Sequence, residues 1–442
     1  MALGCLLADA GHSVTVFEKK NVVGGSWKSV SQDGYFTENS PRILAGSAGG
    51  FFKYLGLADS DFYGVYGNAF QSNLHIMRHV FRFLSFSDVM SMLGSMLFGV
   101  SPKISLGEWM ESRNISERGA RGLEILSIAI NDVPAKTNAR EFFNIITAPQ
   151  FKGVRQFRDP NKWWTLAVQR ISSKPGCSVV VNAGVSSVTG PSAAEATGVM
   201  VNGEYHPADR VVLCTQSTGL LPVLRGTPFE KNWSMVTPEW VEDTAYHAFS
   251  FQLHFDKPVE APGHWCWSCA GPWTVIILPV GDWLDKKSDD PEIVDVWSCC
   301  VVDTGAPSPF LGGKSANDTQ DPYEVLGECL RQIRAASGGP VEPKRVTLSP
   351  GLYHNGTRWV SAETGFTSGV RGRVPVKGKA ENLFAVGCFS ESYRPTTAHF
   401  GTAVDAVISF VDTHEPGVRY FGETPVILLA LLVITLLITL FV

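Results

Sequence analysis

Clusters of basic side chains are missing from this chain of 442 residues. Its formal net charge is −5, and no run of Lys and Arg, alone or interleaved with aromatics, occurs in it. Nucleic acid is therefore excluded as an expected partner, since that binding needs phosphate-neutralising side chains gathered on one face. Internal repeats and long low-complexity tracts are also missing, which excludes a repeat architecture. A secretory leader is not indicated either. The N-terminal MALGCLLADAG is apolar, but no basic residue precedes the run and Asp9 interrupts it.

The absence with the most consequence is that of a G-x-G-x-x-G loop, because the first residues look like the half of a unit that such a loop opens. Ala2, Leu3, Leu6, Leu7 and Ala10 fall at helical spacing and predict a helix over residues 1–10. Gly11 stands at its expected C-terminus. A short strand rich in β-branched residues, Ser13 to Phe17, then ends on Glu18. Helix, glycine, strand and acid form the downstream half of a βαβ dinucleotide site, in which the acid accepts hydrogen bonds from ribose hydroxyls. The upstream half would bring the glycines that let backbone approach the pyrophosphate. By register, Met1 would follow the third glycine. A chain truncated before that loop is the expectation. A sheet naturally lacking the strand would leave buried backbone groups unpaired at about 1–3 kcal/mol each, against a net stability of about 5–15 kcal/mol.

The stretch AGHSVTVFEKKNVVGGSWKSV resembles the start of the FAD-dependent amine-oxidase superfamily, which includes monoamine and polyamine oxidases, protoporphyrinogen oxidase and carotenoid desaturases. Gly24 and Gly25 match the family's Gly-Gly pair. Ser26 stands where Arg is usual, with Lys28 bringing a charge nearby. DGYFTENSPRIL is similar to the family's apolar-acidic-x-Gly-Pro segment through Glu38, Pro41 and Arg42, with Ser40 in place of Gly. Mid-chain, CSVVVNAGVSSVTG followed by GVMVNGEYHPADRVVLCTQ reads as a strand, a hairpin with an Asn-Gly turn and a further strand. The resemblance implies that Val185 packs on the adenine side of the nucleotide. Near the C-terminus, ENLFAVGCFSESYRPTTAHFGTAVDAVISF resembles the family's flavin motif, with Gly387 at the strand end. Cys388 replaces the common acid and Glu391 is displaced from that place. Thr396, Thr397 and Ala398 would open a helix whose N-terminus faces the flavin pyrimidine, where free N–H groups stabilise negative charge.

The resemblance implies an α/β protein with a Rossmann-like FAD-binding domain, its first strand missing, and a mixed α+β substrate domain. The flavin domain would be discontinuous over residues 1–45, 160–222 and 376–412, and the substrate domain would span 46–159 and 223–375. FAD is the implied cofactor, and the implied reaction is hydride transfer from an apolar or amine small molecule to flavin N5. The cofactor carries that chemistry, so no side-chain triad is expected. Lys152, Tyr353 and His354 are candidate pocket residues, but none falls in a family motif and no catalytic residue is assigned. A flavin-less binding or scaffold protein is the alternative, supported by the departures at Ser26, Ser40 and Cys388.

Two further features stand apart from that resemblance. WCWSCAG and DVWSCCVVD hold four of the nine cysteines. In an extended strand Cys266 and Cys269 face opposite ways, so both segments are expected as sheet strands with buried free thiols rather than a metal site. Finally, PVILLALLVITLLITLFV, residues 425–442, is uncharged and apolar throughout. As a helix it would span roughly 27 Å, close to a bilayer's hydrocarbon thickness. A C-terminal transmembrane helix, joined by a linker over 413–424, is expected to anchor the protein in a membrane.

Overall fold

A computed structural model describes residues 1–45, 48–64, 82–147, 154–261, 267–361, 363, 365–392 and 399–418. The first helix, Ala2–Asp9, buries Leu3, Cys5, Leu6 and Ala8. Leu3 and Leu6 pack with Val407, Phe410 and Val411 of the last described helix, His399–His414. On another side, Cys5 joins Ala167 and Ile171, and a Cβ on Gly4 would stand 3.0 Å from the Ile171 side chain. Gly11 takes φ 91°, a conformation costly for any residue with a Cβ, and the chain turns into the strand Thr15–Phe17. That strand starts later than Ser13, whose hydroxyl is drawn off to donate to the Gly176 carbonyl at 2.7 Å.

Two parallel pairs join segments far apart in the chain. Thr15–Phe17 pairs with Ser178–Val180, and Val211–Leu213 pairs with Leu383–Ala385. These are two separate two-stranded pieces. The amide of Glu18 bonds Val180 and that of Ser178 bonds Val14, each at 2.9 Å. By the two-residue period of a strand, the backbone of Thr15 and Phe17 then points to the opposite edge. Val212 likewise faces away from Leu383–Ala385, because Val211 and Leu213 make the bonds to that strand's ends. Among the described residues, no strand pairs with either of these edges. Phe17 and Leu213 nevertheless contribute to one apolar cluster.

The Asn-Gly hairpin is as expected. Gly198–Val201 and Glu204–Pro207 are antiparallel, and Asn202 and Gly203 carry φ 49° and 88°, both positive as a type I′ turn requires. A five-stranded antiparallel sheet runs in the order Trp267–Ala270, Thr274–Pro279, Asp295–Val301, Phe249–Phe255, Arg345–Leu348. Its strand FSFQLHF divides by alternation. Phe249, Phe251, Leu253 and Phe255 enter one core with Val325, Cys329 and Ile333 of the helix Pro322–Ser337. Ser250, Gln252 and His254 face the other way and are also buried. The cysteine-bearing segments are strands of this sheet, and Cys269, Cys299 and Cys300 are buried free thiols. Cys266 lies outside the described residues, and no group of metal-ligating side chains occurs among the described ones.

A helical layer holds Phe86–Phe98, Leu106–Ser112, Glu117–Ile130 and Ala139–Thr147 around Met92, Leu106, Trp109, Leu123, Phe142 and Phe143. Ser85 with Asp88, and Ser105 with Glu108, close reciprocal capping boxes at two of its helix starts. Residues 425–442, expected to cross a membrane, lie outside the described residues. Among the described ones no helix is long and apolar enough to do so.

Candidate functional site

The Gly-Gly pair forms a tight turn. Gly24 and Gly25 take φ 113° and 54°, and a short 3-10 helix, Gly25–Trp27, follows. A Cβ on Gly24 would come within 3.0 Å of Trp164 and of Lys28, whereas Gly25 borders open space. Arg42 staples this turn from outside. Its Nη1 donates to the Ser26 carbonyl at 2.5 Å and its Nη2 to the Lys28 carbonyl at 3.1 Å. Nε and Nη2 also reach Glu38 Oε2, at 3.0 and 2.8 Å, and the guanidinium lies 5.4 Å from the Trp27 ring centre. Pro41, just before it, is partly buried. Lys28 does not stand in for the missing arginine as a free charge, because its ammonium is paired with Glu363 at 2.9 Å. Asn161 clamps the next residue, exchanging two 3.2 Å bonds with the Ser29 backbone.

Glu18 sits at the corner where its strand meets the return segment. Its carbonyl accepts from Ala183 N at 2.8 Å, and Lys20 O accepts from Asn182 N at 2.8 Å. One carboxylate oxygen accepts from Lys20 N at 2.9 Å, leaving a half-buried acid at the strand end. Two residues past Ala183, Val185 pairs with Val201, with a bulge before Ser187. The structure thus places Glu18 beside the turn that leads into Val185.

Gly387 follows the strand Leu383–Ala385 in a turn held by Ser390, whose hydroxyl donates to Ala385 O at 2.8 Å and accepts from Gly387 N at 3.2 Å. A Cβ on Gly387 would stand 2.6 Å from the Phe389 ring, so this turn admits only glycine without repacking. The Cys388 carbonyl accepts from Arg373 Nη1. Burial pushes the Cys388 thiol up to about 11, so it supplies no negative charge where the family commonly has an acid. Thr396, Thr397 and Ala398 lie outside the described residues. Just after them, Phe400 meets Trp27 edge-on at 5.1 Å and Trp163 at 5.1 Å. The Gly-Gly turn, the first helix and the start of the last helix therefore meet in one apolar cluster, through Trp27, Cys5 and Phe400.

The profile of the flavin containing amine oxidoreductase family matches residues 2–369. The chain belongs to this family. It is an FAD-dependent oxidoreductase. Three solved structures share its fold. An oxidoreductase from Methanosarcina mazei is 17% identical, with a TM-score of 0.60 over 93% of this chain and 97% of that one. A protein from Exiguobacterium sp. 255-15, provisionally assigned as a protoporphyrinogen oxidase, is 13% identical with a TM-score of 0.57 over 94% and 95%. A putrescine oxidase redesigned in its cofactor binding is 14% identical with a TM-score of 0.59 over 94% and 95%. No curated protein matches the sequence.

In this amine oxidoreductase the polar face of the five-stranded sheet abuts the segment that carries Glu38. Gln252 Nε2 and Ser349 Oγ donate to the Glu38 carbonyl at 3.0 and 2.6 Å. Ser40 lies against Tyr246 and Cys300, whose hydroxyl and sulfur are 3.9 Å apart. Burial raises both groups, Cys300 to about 11. Glu38 Oε1, Asn39 Oδ1, Ser250 Oγ and Ser298 Oγ are buried without a hydrogen-bond partner. Unpartnered polar atoms in a buried wall are costly, and those of Glu38 and Asn39 beside the Gly-Gly turn fit a wall that meets a polar ligand. The open Gly25, the acid at Glu18 and this wall together suit a flavin nucleotide.

Tyr353 and His354 do not belong to this arrangement. Tyr353 is exposed, and both His354 ring nitrogens are used locally, on Asn317 O at 2.8 Å and Gly356 N at 3.1 Å. Lys152 lies outside the described residues. The residues that do reach the site and that no motif announces are Gln252, Ser349, Glu363 and Arg373. Only the polar phase of FSFQLHF hinted at the first of them.

Proposed function

We propose that this amine oxidoreductase oxidises a neutral, largely apolar small molecule while anchored to a membrane by residues 425–442. Glu18 would hold the adenosine ribose through hydrogen bonds to its carboxylate, and Val185 would line the adenine side through its backbone. The Gly24–Lys28 turn would bring its backbone close to the cofactor, with Arg42 fixing its shape. Gly387 and the segment Thr396 to Ala398 would border the ring system. A flavin bound by these residues would supply the hydride-accepting chemistry for oxidation of a C–N or C–H bond of the substrate. Residues 1–45, 160–222 and 376–412 would then form the cofactor domain, and 46–159 with 223–375 the substrate domain.

The observation that carries this reading is the stapling of the Gly-Gly turn by Arg42, which leaves backbone at Gly25 open and rigid beside the buried polar wall. A neutral substrate is favoured because that wall carries Ser250, Gln252, Ser298 and Tyr246, and its carboxylate Glu38 is already paired with Arg42. Oxygen uptake tests it: the purified enzyme with added FAD should consume dioxygen with neutral apolar substrates and not with aliphatic amines. The reverse preference contradicts the neutral-substrate reading. Anchoring is tested separately by alkaline extraction of membranes from cells making the full chain, which should leave it in the pellet.

A further inference from the structure

The helix Phe86–Phe98 departs from the usual pattern of a surface helix, which is apolar inward and polar outward. Its inner residues, Val89 and Met92, are buried, Met92 among Leu106, Trp109 and Leu123. Its outer face is apolar as well. Phe86, Met90, Leu97 and Phe98 are 73, 51, 59 and 90% exposed, and Leu93 continues the stripe at helical spacing. The helix's only charged residue, Asp88, is buried. Its carboxylate is spent on Ser85 N at 2.8 Å, Ser116 N at 2.9 Å and Ser116 Oγ at 2.6 Å. No charge of this helix faces water.

An exposed apolar stripe of this kind, with the small residues Ser87 and Gly94 between it and Phe98, marks a partner surface. Its flanks narrow the choice. Exposed Arg82 and Lys103 stand beyond its two ends, a placement that suits the anionic head groups around an interfacial helix. The same chain carries the uncharged apolar run of residues 425–442, sufficient in length to cross a bilayer. We propose that the helix Phe86–Phe98 lies in the head-group boundary of a lipid bilayer, a second membrane contact in addition to residues 425–442. This rests in part on the membrane reading given above. Two contacts, unlike one, would fix how the protein stands on the bilayer, with the helical layer turned toward the lipid.

The test uses the full chain with Phe98→Cys carrying an environment-sensitive nitrobenzoxadiazole label, mixed with vesicles of phosphatidylcholine and phosphatidylserine. Tyr323→Cys, at an exposed position elsewhere, is the control. The unsubstituted chain, treated alike, corrects for native thiols. Lipids bearing a shallow nitroxide should quench the label at 98 roughly twofold and leave that at 323 unaffected. Equal quenching at both positions overturns the proposal, as does no quenching at either. A label at 98 that is shielded from water yet unquenched also overturns it, showing that protein, from this chain or a second copy, covers the stripe. Alkaline extraction of the same vesicles reads the C-terminal anchor separately, because high pH strips an interfacial contact and leaves a spanning helix in place. A chain released at high pH disproves the anchor, while quenching at 98 before extraction still decides the helix.

Discussion

Arg42 and Glu38 form a buried two-point ion pair whose arginine also holds the carbonyls of Ser26 and Lys28. The pair is thus a structural part of the glycine turn, and removing one member should cost more than the pair itself contributes. Arg42→Met would leave the Glu38 carboxylate buried and uncompensated, a loss of about 3–5 kcal/mol. Arg42→Met combined with Glu38→Gln should recover part of that loss, because no lone charge remains. Urea unfolding of the three variants measures both steps. A double variant no more stable than Arg42→Met would show that the lost carbonyl bonds, not the charge, dominate.

In the proposed cofactor site Glu18 would hold the ribose through its carboxylate. Hydrogen bonds to charged groups contribute about 1.5–3 kcal/mol, so Glu18→Ala should weaken FAD binding by on the order of ten- to a hundredfold. Half-buried at the strand end, with one carboxylate bond to Lys20 N, it should change folding stability little when removed. Titration of FAD fluorescence against wild type and variant gives the ratio directly, and equal affinities would remove Glu18 from the site.

His254 predicts an acid limb in stability. Burial, with a lesser push from Arg345, lowers it from 6.5 to about 4. The unfolded chain therefore binds a proton more readily than the folded one. The stability that follows from neutral His254 is complete above about pH 6.5 and is lost as pH falls toward 4, by about 3 kcal/mol in all. His247 is lowered to about 4 for the same main reason, so His254→Gln should flatten the limb in part. Urea midpoints at pH 7 and pH 4.5 for both proteins check the sign, and an unchanged slope in the variant would refute the assignment.

The two parallel strand pairs predict an exchange pattern. Amides of Glu18 and Val211 are bonded across their pairs, whereas Thr15, Phe17 and Val212 point to edges without a described partner strand. Hydrogen exchange should be faster at Thr15, Phe17 and Val212 than at Glu18 and Val211. Protection at all five would mean that another strand occupies those edges.

Local order was readable in the sequence, and long-range pairing was not. The first helix, the Asn202-Gly203 turn and the strands with buried cysteines each follow from spacing or from backbone demands of a few neighbouring residues. Lys28 shows the limit. Its charge could be noticed near the Gly-Gly pair, but its partner Glu363 is 335 positions away and only the folded chain brings them together. Arg42 was legible as a motif residue, yet its role as a staple depends on where two carbonyls end up. Gln252 and Ser349 carry no signal beyond strand alternation, because their importance comes from the Glu38 carbonyl they meet. Cys388 could be seen to replace an acid, and its burial explains why it does not act as one.

The visible absorption spectrum of the purified full chain, after incubation with FAD and removal of free cofactor, tests cofactor binding most directly. It is best recorded for the chain as given and with any in-frame sequence upstream of Met1. A flavin band retained by the protein, and diminished in Glu18→Ala, is the expected result. Absence of the band from every form would contradict a flavin site built on Glu18, the Gly24–Gly25 turn and Gly387.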